Sequence, residues 1–175
     1  YLAVLDPSSG RLTPVYQPKT ADIGRLLRKA DRSDAFAVEN YDGSGRGGYL
    51  FLQPNSAESQ MMKALSAEFP GELTAITGFS DDAKYASVVV YGDVNPGEYY
   101  IYDDTSKKLS APIKIRPNIN PDNAAVTEPL VFKARDGLEI HGWITLPNSP
   151  QGKMPMVVIP HGGPYGIVDR WYFDN

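Results

Sequence analysis

The sequence predicts a mainly β fold in which short strands alternate with polar turns and two short helices interrupt the pattern. Three observations carry this prediction. Residues 71–115 contain four apolar segments joined by turns rich in Asp, Asn, Gly and Lys. Two further segments near the N-terminus flank the turn sequence PSSG, as in a hairpin. A β-branched run at residues 156–159 lies between two prolines, which is typical of a strand buried in a parallel sheet.

The first 70 residues predict a hairpin and both helices. The hairpin joins YLAVLD to RLTPVY and turns at Ser8, Ser9 and Gly10. Helical spacing of apolar residues predicts one helix over 21–30 and another over 56–69, with Asn55 and Glu58 forming a capping box on the second. The apolar residues that set these two patterns are Ile23, Leu26, Leu27 and Ala30, then Met61, Leu65 and Phe69.

From residue 71 the strands follow one another as GELTAITGF, YASVVVYGD, EYYIYD and LSAPIKI, which is the layout of one β-propeller blade. Residues 35–53 and the N-terminal hairpin are expected to supply further blade pieces. The segment RPNINPDNAAVTEP, with three prolines and three asparagines, predicts a linker. Two strands around the turn Arg135, Asp136 and Gly137 are predicted after it, followed by the buried strand at 156–159.

The residues His161, Gly162 and Gly163, here called the HGG loop, follow that last apolar run and precede Pro164. Adjacent glycines let a ligand approach main-chain N–H groups closely, and such groups bind an oxyanion. A loop of this kind after a core strand supplies one oxyanion donor in α/β-hydrolases. A tight strand connection would use the same residues, so the motif alone leaves both interpretations open.

Composition restricts the partners and cofactors. The chain is 42% hydrophobic with a net charge of −4, and it has no Lys or Arg cluster, which argues against nucleic-acid and membrane partners. The absence of cysteine excludes disulfides and Cys-ligated zinc, and two histidines, His141 and His161, make a multi-histidine metal site improbable. We therefore predict no cofactor and no metal. YLAVLDPSSG has no signal-peptide pattern, which leaves cytoplasm and periplasm open.

Several patterns that suggest chemistry are better explained by structure. The glycines at 43, 45 and 48 fit G-x-G-x-x-G, but a strand rather than a helix is predicted after them, which favours a flexible turn. The acidic pairs Asp81–Asp82 and Asp103–Asp104 adjoin predicted turns, where Asp bonds its own backbone. The tyrosines of Tyr99-Tyr100-Ile101-Tyr102 alternate along a strand, which indicates packing.

From the linker onward the chain resembles the prolyl oligopeptidase family of serine peptidases, and specifically its acylaminoacyl-peptidase and dipeptidyl-peptidase-like bacterial members. The matching segments are FKARDGLEIHGWITLP, KMPMVVIPHGGPYG and RWYFDN. GFSDDAKYASVVV resembles the blade turn of the family, where Ser-Pro-Asp-Gly-Lys is more usual and Ala83 departs from that pattern. The resemblance implies the C-terminal part of a β-propeller over 1–116, a linker over 117–128, and the first strands of an α/β-hydrolase domain over 129–175.

The resemblance also implies roles for the HGG loop. The Gly163 N–H becomes an oxyanion donor, Gly162 permits its geometry, and His161 shapes the loop without belonging to the catalytic triad. Family members carry the triad C-terminal to HGGP, and no G-x-S-x-G occurs in this sequence. We therefore expect the 175 residues to be a truncated piece of the enzyme that is inactive alone.

The expected function is hydrolysis of short peptides by Ser-His-Asp acyl transfer, with the propeller restricting access. Two alternatives remain: an esterase or lipase on the same scaffold, and a non-catalytic propeller module in which HGGP is only a turn. Unpaired sheet edges are expected to promote self-association.

Overall fold

The computed structural model describes residues 1–19, 21–41, 46–163 and 171–172, and its secondary structure is mainly β, as predicted. The described strands form four separate antiparallel sheets and close into neither a barrel nor a propeller. The strands are β1 (Leu2–Leu5), β2 (Leu12–Tyr16), β3 (Ile23–Arg28), β4 (Ala35–Asn40), β5 (Gly48–Phe51), β6 (Leu73–Phe79), β7 (Tyr85–Tyr91), β8 (Glu98–Asp103), β9 (Lys108–Leu109), β10 (Ile113–Lys114), β11 (Thr127–Lys133) and β12 (Glu139–Thr145). Within the same ranges there is one α-helix, α1 (Ala57–Glu68), and a 3-10 helix at Pro121–Asn123.

The N-terminal hairpin is confirmed: β1 pairs with β2 in antiparallel register. Its turn is held by the Asp6 carboxylate, which accepts bonds from the Ser8 hydroxyl at 2.6 Å, the Ser8 amide at 2.9 Å and the Ser9 hydroxyl at 2.5 Å. These donors, the Ser8 hydroxyl foremost, lower the pKa of Asp6 to about 2 because they stabilise its charged form. The turn residues therefore fix the hairpin through a charged carboxylate.

The predicted helix over 21–30 is wrong, because this segment forms β3 at the edge of the β3–β4–β5 sheet. Register shifts occur between Ile23 and Leu26 and again between Leu27 and Arg28, so the strand lacks the strict alternation of a regular strand. Its apolar residues therefore follow one another at a spacing that is also typical of a helix. Pairing with β4, whose centre is fully buried, determines the outcome, which no local pattern indicates.

The second predicted helix is confirmed as α1, although its cap lies one residue later than predicted. Ser56, rather than Asn55, has the extended backbone of an N-cap, and its hydroxyl accepts the amide of Ser59 at 3.2 Å. Met62 and Leu65 of this helix are almost completely buried. The only α-helix of the described ranges therefore packs as the predicted apolar stripe requires.

Strands β6 to β10 form one five-stranded sheet with the order β10-β8-β7-β6, in which β9 also pairs with β8. The predicted fourth strand, LSAPIKI, is divided into β9 and β10. Pro112 lies immediately before β10 and has no N–H for a ladder, which accounts for the break. The other three strands agree with the prediction.

The main core lies between one face of this sheet, α1 and the β3–β4–β5 sheet. On β7 the inward residues Ala86, Val88 and Val90 are at most 1% exposed. The opposite face of the same sheet carries exposed apolar side chains, among them Ile101 and Ile113. The sheet is therefore covered on one side within the described residues.

The predicted linker, residues 117–128, contains the 3-10 helix at Pro121–Asn123 and the first residues of β11. Strands β11 and β12 then form the predicted hairpin around the turn at Asp136 and Gly137. In the described residues no helix has the length and apolar character needed to cross a membrane.

The predicted buried strand at 156–159 is wrong. These residues have no regular secondary structure, and their side chains are 71–83% exposed. A strand of a parallel sheet needs neighbouring strands to satisfy its backbone and cover its side chains. None of the described strands pairs with this segment, so its composition alone does not make it a strand.

Candidate functional site

The three residues of the HGG loop lie on the surface, directly after the exposed apolar segment. The Nδ1–H of His161 donates to the carbonyl oxygen of Gly162, the next residue. This contact holds the imidazole against its own loop.

The backbone at Gly163 is open. A Cβ placed on this glycine would meet no heavy atom within 4 Å, and its φ lies outside the left-handed region. Among the described residues, the side of Gly163 on which a side chain would stand is therefore open. An oxyanion donor needs a main-chain N–H that a ligand can approach.

The described residues supply only this part of an acyl-transfer site. The sequence contains no G-x-S-x-G in which a nucleophile and a second oxyanion donor would lie together. The other histidine, His141, is exposed on β12 and contacts Glu139, with 3.1 Å between its Nε2 and a carboxylate oxygen. Within the described ranges, no hydrogen bond or ion pair joins the HGG loop to a histidine or carboxylate outside it. Pro164, the last residue of the HGGP motif, lies outside the described residues.

The acidic pairs hold turns, as predicted. Asp82 accepts the Ser80 hydroxyl at 2.7 Å and the Lys84 amide at 3.1 Å. Asp103 accepts the amides of Thr105 and Ser106. The pKa of each of these two carboxyls is lowered, mainly by the hydrogen bond from Ser80 to Asp82 and by the backbone bond from Ser106 to Asp103. Both carboxylates are therefore committed to the backbone rather than to catalysis.

The tyrosine cluster and the glycine-rich turn also have structural explanations. Tyr100 and Tyr102 face the core while Tyr99 points outward. Burial and a bond to the Glu98 carboxylate raise the pKa of Tyr100, which keeps the phenol protonated. After the glycine-rich turn the chain enters β5, not a helix, so the dinucleotide interpretation fails. Gly43 and Gly45 lie outside the described residues.

A shallow cleft of about 230 Å³ lies on the exposed side of the five-stranded sheet. Asn95 is its main polar residue, and the amide of that side chain is already engaged. Its Nδ2 donates to Glu72 at 2.8 Å, and its Oδ1 accepts the Gly97 amide at 2.9 Å. The cleft therefore offers a ligand mainly apolar contact. Its lining residues are Val89, Tyr91, Asn95, Pro96, Ile115 and Tyr172.

Sequence patterns did not reveal the contact between Trp171 and the start of β11. Trp171 is 4% exposed, and its indole N–H donates to the carbonyl of Thr127 at 3.1 Å. The Thr127 amide donates in turn to Asp93 at 2.7 Å. These residues are 34 and 44 positions apart in sequence, so no local pattern could have linked them. The sequence signal that could have drawn attention to Trp171 is RWYFDN, one of the segments that carry the family resemblance.

Among the described ranges, no group of three or more His, Cys, Asp or Glu side chains is placed to hold a metal ion. The candidate site therefore consists of main-chain groups of the HGG loop. The chain matches no family model, no curated protein and no solved structure.

Proposed function

We propose that this chain belongs to a serine peptidase of the prolyl oligopeptidase type, which hydrolyses short peptides by acyl transfer. The observation that carries the proposal is the HGG loop, in which the described residues leave the space beside the Gly163 Cα open. The family resemblance of the last fifty residues supports the same function. Since a fold alone does not fix chemistry, the proposal rests on this loop.

The proposed architecture is a β-propeller followed by an α/β-hydrolase domain. The antiparallel meander of β6, β7 and β8 has the order of strands found in a propeller blade. The turn between β6 and β7 contains Ser80, Asp82 and Lys84 at the positions where the blade turn of the family has the same residue types. The HGG loop belongs to the proposed hydrolase domain.

In the proposed reaction a serine oxygen attacks the peptide carbonyl carbon, and a histidine accepts the serine proton. The carbonyl oxygen becomes an oxyanion, to which the Gly163 N–H donates a hydrogen bond. Collapse of this intermediate breaks the C–N bond as histidine protonates the leaving amine. Water then releases the acyl group by the same steps. The proposal takes the serine, histidine and aspartate of this triad, as in the family that the chain resembles, from outside the 175 residues.

A fluorophosphonate probe tests the proposal on the protein in which this chain is joined to its nucleophile. We expect stoichiometric covalent labelling that a short peptide substrate competes away. The 175-residue chain alone serves as the matched control and is expected to remain unlabelled. Failure of the longer protein to react would refute the peptidase and favour the non-catalytic module.

Peptide and ester reporters then separate the two hydrolase possibilities. Acyl-peptide and dipeptidyl amide substrates are expected to turn over with higher kcat/KM than simple esters of the same acyl group. A protein that is labelled but hydrolyses only the esters would contradict the peptidase assignment and indicate an esterase.

A further inference from the structure

Trp171 is buried although the described residues before it are exposed. Every residue from Thr145 to Gly163 is exposed, whereas Trp171 is only 4% exposed. Burying a tryptophan removes a large apolar area from water. The contacts of this side chain therefore fasten the chain beyond the HGG loop to the rest of the protein.

Two hydrogen bonds at Thr127 connect Trp171 to the five-stranded sheet. The indole N–H donates to the Thr127 carbonyl at 3.1 Å, and the Thr127 amide donates to the Asp93 carboxylate at 2.7 Å. Asp93 belongs to the turn between β7 and β8, and Thr127 is the first residue of β11. The start of β11 is thus held between the turn on one side and the indole on the other.

The indole ring also lies directly on that turn. A Cβ added to Gly92 would come within 3.3 Å and 3.7 Å of two ring carbons, so the close approach depends on glycine at this position. The guanidinium carbon of Arg46 lies 5.2 Å from the ring centroid, at cation–π distance. The ring therefore contacts the β7–β8 turn, the Arg46 side chain just before β5, and the start of β11.

We infer that Trp171 is a positioning residue that ties the chain following the HGG loop to the β7–β8 turn. Eight residue steps separate Gly163 from Trp171, so an extended chain allows at most about 29 Å between them. The anchor thereby limits how far the HGG loop can lie from the β7–β8 turn. As far as catalysis is concerned, this inference rests on the proposed function, because the confined group is the proposed oxyanion donor.

Hydrogen exchange of the Thr127 amide tests the anchor without any enzyme assay. Trp171→Ala removes both the ring and its donor, so we expect the amide to exchange roughly 2–10-fold faster. Trp171→Phe keeps a ring but lacks the N–H, and we expect an intermediate rate. Tyr85→Phe at an exposed position of β7 is the control and should leave the exchange rate of Thr127 unchanged. An unchanged rate in Trp171→Ala would overturn the anchor.

Gly92→Ala provides a second test that retains the tryptophan. The added methyl would lie 3.3 Å from the nearest ring carbon and so pushes on the indole. We expect the same amide to exchange slightly faster than in the wild-type protein. If the Thr127 amide exchanges at the wild-type rate in both Gly92→Ala and Trp171→Phe, the indole does not hold Thr127. The inference is then wrong.

Kinetics of the nucleophile-bearing protein test the positioning role. Misplacing a catalytic group by about 1 Å costs up to about 10²-fold in rate, so Trp171→Ala should lower kcat by up to that factor with little change in KM. Trp171→Phe should recover part of the loss. Equal kcat in all three proteins would overturn the positioning role. Absence of fluorophosphonate labelling in the wild-type protein would instead refute the proposed function, while the exchange results still decide the anchor.

Discussion

The amide of Ala83 donates to the carbonyl of Ser80 at 2.9 Å while Ala83 itself has a φ of 57°, in the left-handed region. Asp82 fixes the rest of the turn through its bonds to Ser80 and Lys84. The left-handed conformation costs a residue with a Cβ about 1–2 kcal/mol. This turn therefore retains backbone strain at a single alanine.

Ala83→Gly should raise the free energy of unfolding by up to about 1 kcal/mol. The relief of strain exceeds the additional entropy that glycine gives the unfolded chain, about 0.4–1 kcal/mol. Urea denaturation measures the difference. Ala67→Gly, at an exposed position of α1, is the control and should destabilise by about 1 kcal/mol. Destabilisation by both variants would show that Ala83 is not strained.

Thr74→Val should stabilise the protein by about 1 kcal/mol. The Thr74 hydroxyl is buried without a hydrogen-bond partner among the described residues, and valine has nearly the same shape without the polar atom. Tyr49 donates to the Thr74 carbonyl at 2.7 Å, and that main-chain bond is unaffected by the change. Thermal unfolding measures the effect. A lower midpoint temperature would mean that the hydroxyl has an unobserved partner.

Gly163→Pro in the nucleophile-bearing protein should lower kcat by about 10²–10³-fold, with a much smaller change in KM. Proline has no N–H, and an oxyanion donor acts mainly when charge develops in the transition state. Gly163→Ala is the control, because it keeps the N–H and its methyl meets no atom within 4 Å. Steady-state kinetics with an amide reporter measure both variants.

Two results would contradict the donor role of Gly163. One is a folded proline variant with wild-type kcat. The other is an alanine variant as impaired as the proline variant, because only a steric role in the loop explains equal losses.

The isolated 175-residue chain should self-associate, and Val158→Lys should weaken this association. Residues 156–159 form an exposed apolar run, with Val158 71% exposed, and the outer face of the five-stranded sheet is also apolar. Light scattering should give a mean mass above 19.2 kDa that falls toward that value in the variant. Gln151→Lys adds the same charge outside the run and should change little. A wild-type chain that is already monomeric at high concentration would refute the prediction.

The sequence predicts those elements that depend on neighbouring residues. The hairpin β1–β2, the meander of β6 to β8 and the hairpin β11–β12 have turn residues between apolar strands, and all three were predicted. Helix α1 was predicted from its apolar stripe. In each case the signal and the structure it specifies lie within a few residues of each other.

The wrong predictions concern segments whose structure is decided by strand pairing rather than by the spacing of their own apolar residues. Strand β3 forms because β4 is available to pair with it, and its register shifts conceal the strand pattern. Residues 156–159 have the composition of a strand but no described strand beside them. The same limitation applies to the site. The residues of the HGG loop were predicted from sequence, whereas the contact of Trp171 with Thr127 depends on tertiary packing.

The arrangement of the sheets has a consequence for folding kinetics. All described strand pairs join strands that are near neighbours along the chain, so each sheet closes only short loops as it forms. Short loops of this kind favour rapid formation of each sheet. The amides of β7 should be the last to exchange, because both of its neighbours are strands and its inner face is fully buried.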